Sequence, residues 1–302
     1  MENLRGSLLM VLAMAGFALE DMFVKSLSSR LPVGEVLALL GAGGALLFAA
    51  FAIARGDRLI SRDLIATPVL LRNLTELLGT MFFVCAIAFT PLAQASAILQ
   101  ATPLAVTLGA ALFLGEQVGW RRWLAITVGF VGVMIVVRPG TDGFSVLSLL
   151  AVASVVGLAA RDVVTRRIPK TISSMQLATY GFASVVPAGV FLVWVNGTPA
   201  QMPASRDWLE LLGAILVGTG GYYSLIAAMR IGEVSFITPF RYTRLLFALV
   251  IGAVVFAEPV DSTTLIGGAV IVASGIYTLL REARLKRRAR AIIPDSLSRP
   301  GS

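Results

Sequence analysis

The chain reads as long apolar runs parted by short polar breaks. Runs of about twenty residues recur, the length that crosses about 30 Å of hydrocarbon at 1.5 Å per residue. Ten spans are predicted, at 6–27, 33–54, 68–89, 94–114, 120–137, 145–166, 173–195, 208–229, 234–257 and 261–280. Breaks carry turn formers such as Thr90-Pro91, Arg138-Pro139-Gly140 and Asn196-Gly197. The third and sixth spans give the weakest apolar signal because they carry charges. After Arg281 the chain turns basic, then rich in Pro and Ser, so 282–302 is expected to be a disordered tail. The pattern predicts an all-α membrane protein with ten transmembrane helices.

Composition agrees. Of the 302 residues 57% are hydrophobic and only 14% charged, where soluble domains carry about 25% charged residues. There is no histidine, which removes histidine metal sites and imidazole relays, and the single cysteine, Cys85, excludes an internal disulfide and a zinc cluster. No cofactor is expected. Arg5 and Ala13-Met14-Ala15 resemble parts of a leader peptide, but the run continues to Leu27, so a first span is expected instead.

The net charge of +8 lies in loops and in the tail, not on a face for nucleic acid. With the N-terminus inside, inner ends carry Arg5, Arg55, Arg58, Arg62, Arg121, Arg122, Arg166, Arg167, Lys170, Arg230 and the tail cluster. Outer ends carry only Lys25, Arg30, Arg138 and Arg206. This asymmetry predicts both termini in the cytoplasm.

The chain also repeats. At an offset of 141 residues Asp21 falls on Asp162 and Lys25 on Arg166; at 142, Phe113-Leu114-Gly115-Glu116 falls on Val255-Phe256-Ala257-Glu258 and Gly79 on Gly221. Two five-helix halves follow, 1–140 and 141–281. Five is odd, so the second half enters the membrane inverted, an arrangement that secondary transporters use for alternating access.

These features resemble the drug/metabolite transporter superfamily, and within it the EamA-type permeases. The resemblance rests on Pro91-Leu92-Ala93-Gln94-Ala95-Ser96-Ala97-Ile98-Leu99, Pro103 and Leu112-Phe113-Leu114-Gly115-Glu116 in the first half. In the second it rests on Phe236-Ile237-Thr238-Pro239 through Phe256-Ala257-Glu258. Arg241-Tyr242-Thr243 is similar to a subset with riboflavin and S-adenosylmethionine permeases and organic-anion carriers. The resemblance implies a ten-helix secondary transporter in a bacterial inner membrane.

Candidate chemistry lies in the charges within the spans. Arg241 and Arg244 share a helix face in the ninth span. Each costs roughly 2.5–3.5 kcal/mol to place there. They either bind an anionic group of the cargo or pair with Glu76, Glu20 or Asp162. Asp21–Lys25 and Asp162–Arg166 are i, i+4 pairs with the acid first; they read as gates or as static interfacial pairs. Glu76 is either a proton-carrying carboxylate or the partner of Arg72 or Arg241. Asn73, Gln100, Tyr242 and Tyr222 are candidates to line the cavity, though Tyr242 and the tyrosines beside Gly218-Thr219-Gly220-Gly221 also suit plain packing. Pro103, Pro187 and Pro239 are expected to kink their helices.

The expected function is secondary transport of a small organic metabolite that bears a negative group. Carriers of zwitterionic or cationic metabolites remain open, as does a membrane scaffold; nothing suggests an enzyme. The chain is expected to act as a monomer or a homodimer.

Overall fold

A computed structural model describes residues 2–60, 62–116, 119–141, 144–169, 171–231 and 234–292. The elements are α1 (Glu2–Ser28), α2 (Val33–Ala54), a 3-10 turn (Arg62–Ile65), α3 (Thr67–Phe89), α4 (Leu92–Leu99), α5 (Thr102–Phe113), α6 (Trp120–Val137), α7 (Ser148–Thr165), α8 (Ser174–Asn196), α9 (Ser205–Ile231), α10 (Val234–Ile237), a second 3-10 turn (Thr238–Tyr242), α11 (Thr243–Val255) and α12 (Ser262–Ile292). Among the described residues they supply ten spans long and apolar enough to cross a membrane. α12 runs on to Ile292, so helix persists past Arg281, where the sequence suggested that order ends. Residues 293–302 and Lys170 lie outside the described residues.

The fourth and ninth spans are not continuous helices. The fourth breaks between α4 and α5 at Gln100-Ala101; the ninth passes through the second 3-10 turn before α11. Gln100 and Tyr242 are 142 residues apart, so the breaks are repeat mates. Pro103 stands in the first turn of α5, after its break, and Pro239 in the first turn of the second 3-10 turn itself, positions where a missing N–H costs little. Freed carbonyls in a membrane need donors. Thr102 Oγ1 donates to Leu99 O at 2.6 Å and Thr243 Oγ1 to Phe240 O at 2.7 Å. Pro187, by contrast, lies inside an unbroken α8.

The closest helix pairs all join one half to the other: α2 with α8, α1 with α9, α3 with α7, and α6 with α12. Small residues permit this, because in lipid the packing of helices depends on backbone approach. α3 meets α7 at Gly79 and Gly157, where a Cβ on Gly157 would lie 2.8 Å from Gly79 Cα. α1 meets α9 at Gly16 and Gly221, where a Cβ on Gly16 would lie 3.1 Å from Gly221 Cα. Gly16 is the mate of Gly157 and Gly221 of Gly79. One contact is thus made twice, by pseudo-twofold symmetry.

Gly157→Leu therefore should cost about 1–3 kcal/mol of stability through overpacking against a backbone. Gly220, with open space around its Cα, should accept Gly220→Ala with no loss and up to about 1 kcal/mol of gain. SDS-induced unfolding in mixed micelles checks both; equal effects at the two positions would contradict the glycine contact.

Candidate functional site

α1, α3, α7, α9 and the two broken spans bring the intramembrane charges together. Asp21, mostly buried, faces Arg244 of α11. Arg244 donates from Nε to Asp21 Oδ2 at 3.1 Å, and from Nη2 to Oδ1 at 2.9 Å and Oδ2 at 2.8 Å. The guanidinium also lies 5.4 Å from the Phe17 ring centroid and 5.3 Å from that of Phe83. A planar fork held by a carboxylate between two rings is committed to the fold.

Glu76 is bound on both sides. Arg72 Nη2 reaches its Oε2 at 2.8 Å and Arg161 Nη1 its Oε1 at 2.9 Å. Arg161 also donates from Nε to Asp162 Oδ1 at 2.9 Å. Arg72 Nη1 caps Leu177 O at 2.9 Å and meets Asn73 Oδ1 at 3.0 Å. The helical spacing of Arg72 and Glu76 does form its pair. Asn73 is buried and its carbonyl accepts from Ser184 Oγ of α8 at 3.2 Å, so it belongs to the α3–α8 seam.

Arg241 differs. It is partly exposed, and among the described residues it makes no hydrogen bond or ion pair. The charges that act on it are Asp162, Arg161 and Arg244, and Asp162 already belongs to Arg161. Tyr222 of α9 stands in the field of Arg72, Glu76, Arg161 and Asp162 and packs edge-on to Phe48, with centroids 5.0 Å apart. Glu20, one residue before Asp21, is also partly exposed and also makes no hydrogen bond or ion pair among the described residues; its carboxyl lies against Gly218 of α9.

Gln100 and Tyr242 do not open to a cavity. Both are buried, and Gln100 Nε2 donates to Tyr242 O at 3.1 Å. These repeat mates stitch the two helix breaks to each other. The Tyr242 ring turns away and sets its hydroxyl against Gly275 of α12, with no hydrogen-bond partner.

The i, i+4 pairs expected at Asp21–Lys25 and Asp162–Arg166 do not form. Asp21 takes Arg244, and Lys25 Nζ takes Glu258 Oε1 at 2.7 Å. Lys25 also caps the orphan carbonyls of Ile87 at 3.0 Å and Thr90 at 2.7 Å, at the end of α3. Glu258 Oε2 accepts from Leu92 N at 2.8 Å. At the opposite end of the bundle Arg166 Nη1 meets Glu116 Oε1 at 2.5 Å, and Arg167 Nη2 caps Phe113 O at 2.7 Å. Lys25 and Arg166 are repeat mates, as are Glu258 and Glu116. The structure thus closes the same cross-half ion pair at both ends. The Lys25–Glu258 side chains are 13% and 15% exposed, the Arg166–Glu116 pair 46% and 42%. Glu116 and Glu258 were visible in the sequence as aligned positions, but nothing in it tied them to the two bases.

The sequence profile described as "EamA-like transporter family" matches residues 4–138 and again 146–280. The chain belongs to the EamA-like transporter family. Its two matches fall one on each half. A riboflavin transporter of Vibrio cholerae is 28% identical over 74% of both chains. The pseudopaline exporter CntI of Pseudomonas aeruginosa is 29% identical, over 90% of this chain and 94% of its own. An S-adenosylmethionine uptake transporter of Rickettsia prowazekii is 22% identical over 93% of this chain and 94% of its own. A solved structure titled "Crystal structure of protein" overlays 91% of the chain with a TM-score of 0.60 at 19% identity, covering 98% of its own length; this likeness concerns the fold alone. The family's members here are transporters, and this EamA protein is a multi-pass membrane protein.

The exposure of each ion pair sets what its loss costs. Asp21→Ala leaves Arg244, four-fifths buried, without a carboxylate partner and should cost about 3–5 kcal/mol. Glu116→Ala breaks an exposed pair and should cost at most about 1 kcal/mol. Unfolding in mixed micelles measures both, and a reversed order would contradict this assignment of buried and exposed pairs.

Proposed function

We propose that this EamA protein is a secondary transporter that moves a small organic metabolite with a carboxylate or phosphate by alternating access. One observation carries the reading: Arg241 is the intramembrane arginine without a partner among the described residues. An arginine at that depth needs an anion, and a cargo carboxylate or phosphate fits its planar fork. Arg244, expected from sequence to share this role, instead orients the helix that presents Arg241. Glu76, Arg161 and Asp162 set the charge around the site, and Tyr222 borders it. The cross-half pairs Lys25–Glu258 and Arg166–Glu116 act as latches at opposite ends, opening in turn. The names of the relatives support a metabolite as cargo.

The protein sits in the inner membrane with both termini in the cytoplasm, which the loop charges support. A gradient or exchange drives it, since the sequence has no nucleotide-binding motif. A second reading has Glu20 in its favour: an unpaired acid near the same site suits a cargo that carries a positive group as well, a zwitterion.

Flux into reconstituted vesicles, across a panel of anionic, zwitterionic and cationic metabolites, tests this. An anion or zwitterion should move. Arg241→Gln should lower its flux about 10- to 100-fold, the size of one hydrogen bond to a charged group, while leaving the unfolding curve in place. Glu20→Gln should lower flux only of zwitterions. Movement of cations alone, or full flux through Arg241→Gln, would sink the proposal.

A further inference from the structure

α6 and α12 touch where Gly132 meets Gly267: a Cβ on Gly132 would lie 2.9 Å from Gly267 O, and one on Gly267 2.7 Å from Gly132 O. Beyond that crossing, toward the start of α6 and the end of α12, the helices part. They leave a groove of about 280 Å³ whose lining includes Leu124, Val128, Ser274 and Tyr277, with Trp120 and Arg121 at its mouth. Leu124, Val128 and Tyr277 are exposed, and Ser274 spends its hydroxyl on Ile271 O at 2.9 Å. The groove is apolar along its length and open to the side.

Its mouth is cationic. Arg121 lies over Trp120 at 5.2 Å and is exposed. Arg281 reaches from α12 to the start of α6, with Nη2 3.9 Å from where a Gly119 Cβ would stand. Its Nη1 is buried without a hydrogen-bond partner. Arg284 adds charge at the same end. Glu116, three residues before Gly119, is taken by Arg166. Trp120 and Tyr277 have the amphipathic rings that settle at headgroup level.

We infer that this groove is a binding site for one anionic phospholipid, with an acyl chain along Leu124 and Val128 and the headgroup phosphate between Arg121 and Arg281. Charge decides the occupant. Arg121 and Arg281 at one mouth, with Arg284 beyond them, repel a second copy of the same basic surface and select a phosphate. This inference does not depend on the cargo or on the latches.

Native mass spectrometry of the protein, equilibrated in micelles with equal phosphatidylglycerol and phosphatidylcholine, tests it. Wild type should retain one phosphatidylglycerol. The pair Arg121→Gln with Arg281→Gln should lose the preference about 10- to 30-fold, the effect of two such charges. Val128→Trp, which fills the groove and keeps both arginines, should lose it too. Arg55→Gln, which removes one arginine charge at an exposed position stacked on Tyr223, should keep it. Thermal unfolding gives a second readout: phosphatidylglycerol should raise the midpoint of wild type and inorganic phosphate should not. Equal retention of both lipids, a preference unchanged in the paired variant, stabilisation by phosphate alone, or a dimer in place of lipid would each overturn the assignment.

Discussion

A charge inside an apolar slab must be neutralised, and most of this structure follows from how that is done. Each arginine at mid-depth costs a few kcal/mol unless something answers it. The answers come mainly from other spans. Arg244 is answered by Asp21, Arg161 by Glu76 as well as its neighbour Asp162, and Lys25 by Glu258. Asp21 and Arg244 belong to different halves, as do Glu76 and Arg161, and Lys25 and Glu258. Electrostatics therefore fastens half to half, as the glycine contacts do sterically. Arg241 is left over among the described residues, and in the proposed reading a cargo completes the set there.

Pseudo-symmetry repeats the contacts that join the halves. Gly16–Gly221 and Gly79–Gly157 are one contact made twice, and the two ion pairs at the ends are one interaction made twice. The broken fourth and ninth spans meet at Gln100 and Tyr242. Discontinuous helices near mid-membrane are where transporters place their sites, because unwound backbone is tolerated there only when protein or water lines it. The symmetry fails at the central charges: Arg241 and Arg244 have uncharged mates in Leu99 and Thr102. A pseudo-symmetric scaffold thus carries an asymmetric charge pattern at its centre.

The number and approximate place of the spans and the repeat were legible in the sequence because hydrocarbon thickness and a fixed offset leave few alternatives; the end of α12 was not, since its helix continues as a charged stretch past the apolar run. The partners of the charges were not. Asp21 and Lys25 sit four apart on one helix, and local spacing suggests that they pair. Lys25 finds more at the end of α3, two orphan carbonyls and Glu258, and Asp21 finds a bidentate fork. Such choices depend on tertiary contacts that no periodicity encodes. Gln100 and Tyr242 looked like cavity residues because they are polar and aligned; in the fold Gln100 donates to the main-chain carbonyl of Tyr242. Arg72–Glu76 was legible, since both its residues lie within one helix turn. The breaks at Gln100-Ala101 and before Thr243 show in sequence only as nearby prolines.

The claim that the two latches alternate is open to a direct distance measurement. With Cys85 replaced by alanine, spin labels at Ser29 and Val260 report one end, and labels at Thr165 and Phe113 the other. Removing one latch by Lys25→Met should lengthen the Ser29–Val260 distance while the Thr165–Phe113 distance stays short. Both distances lengthening together, or neither changing, would contradict the account.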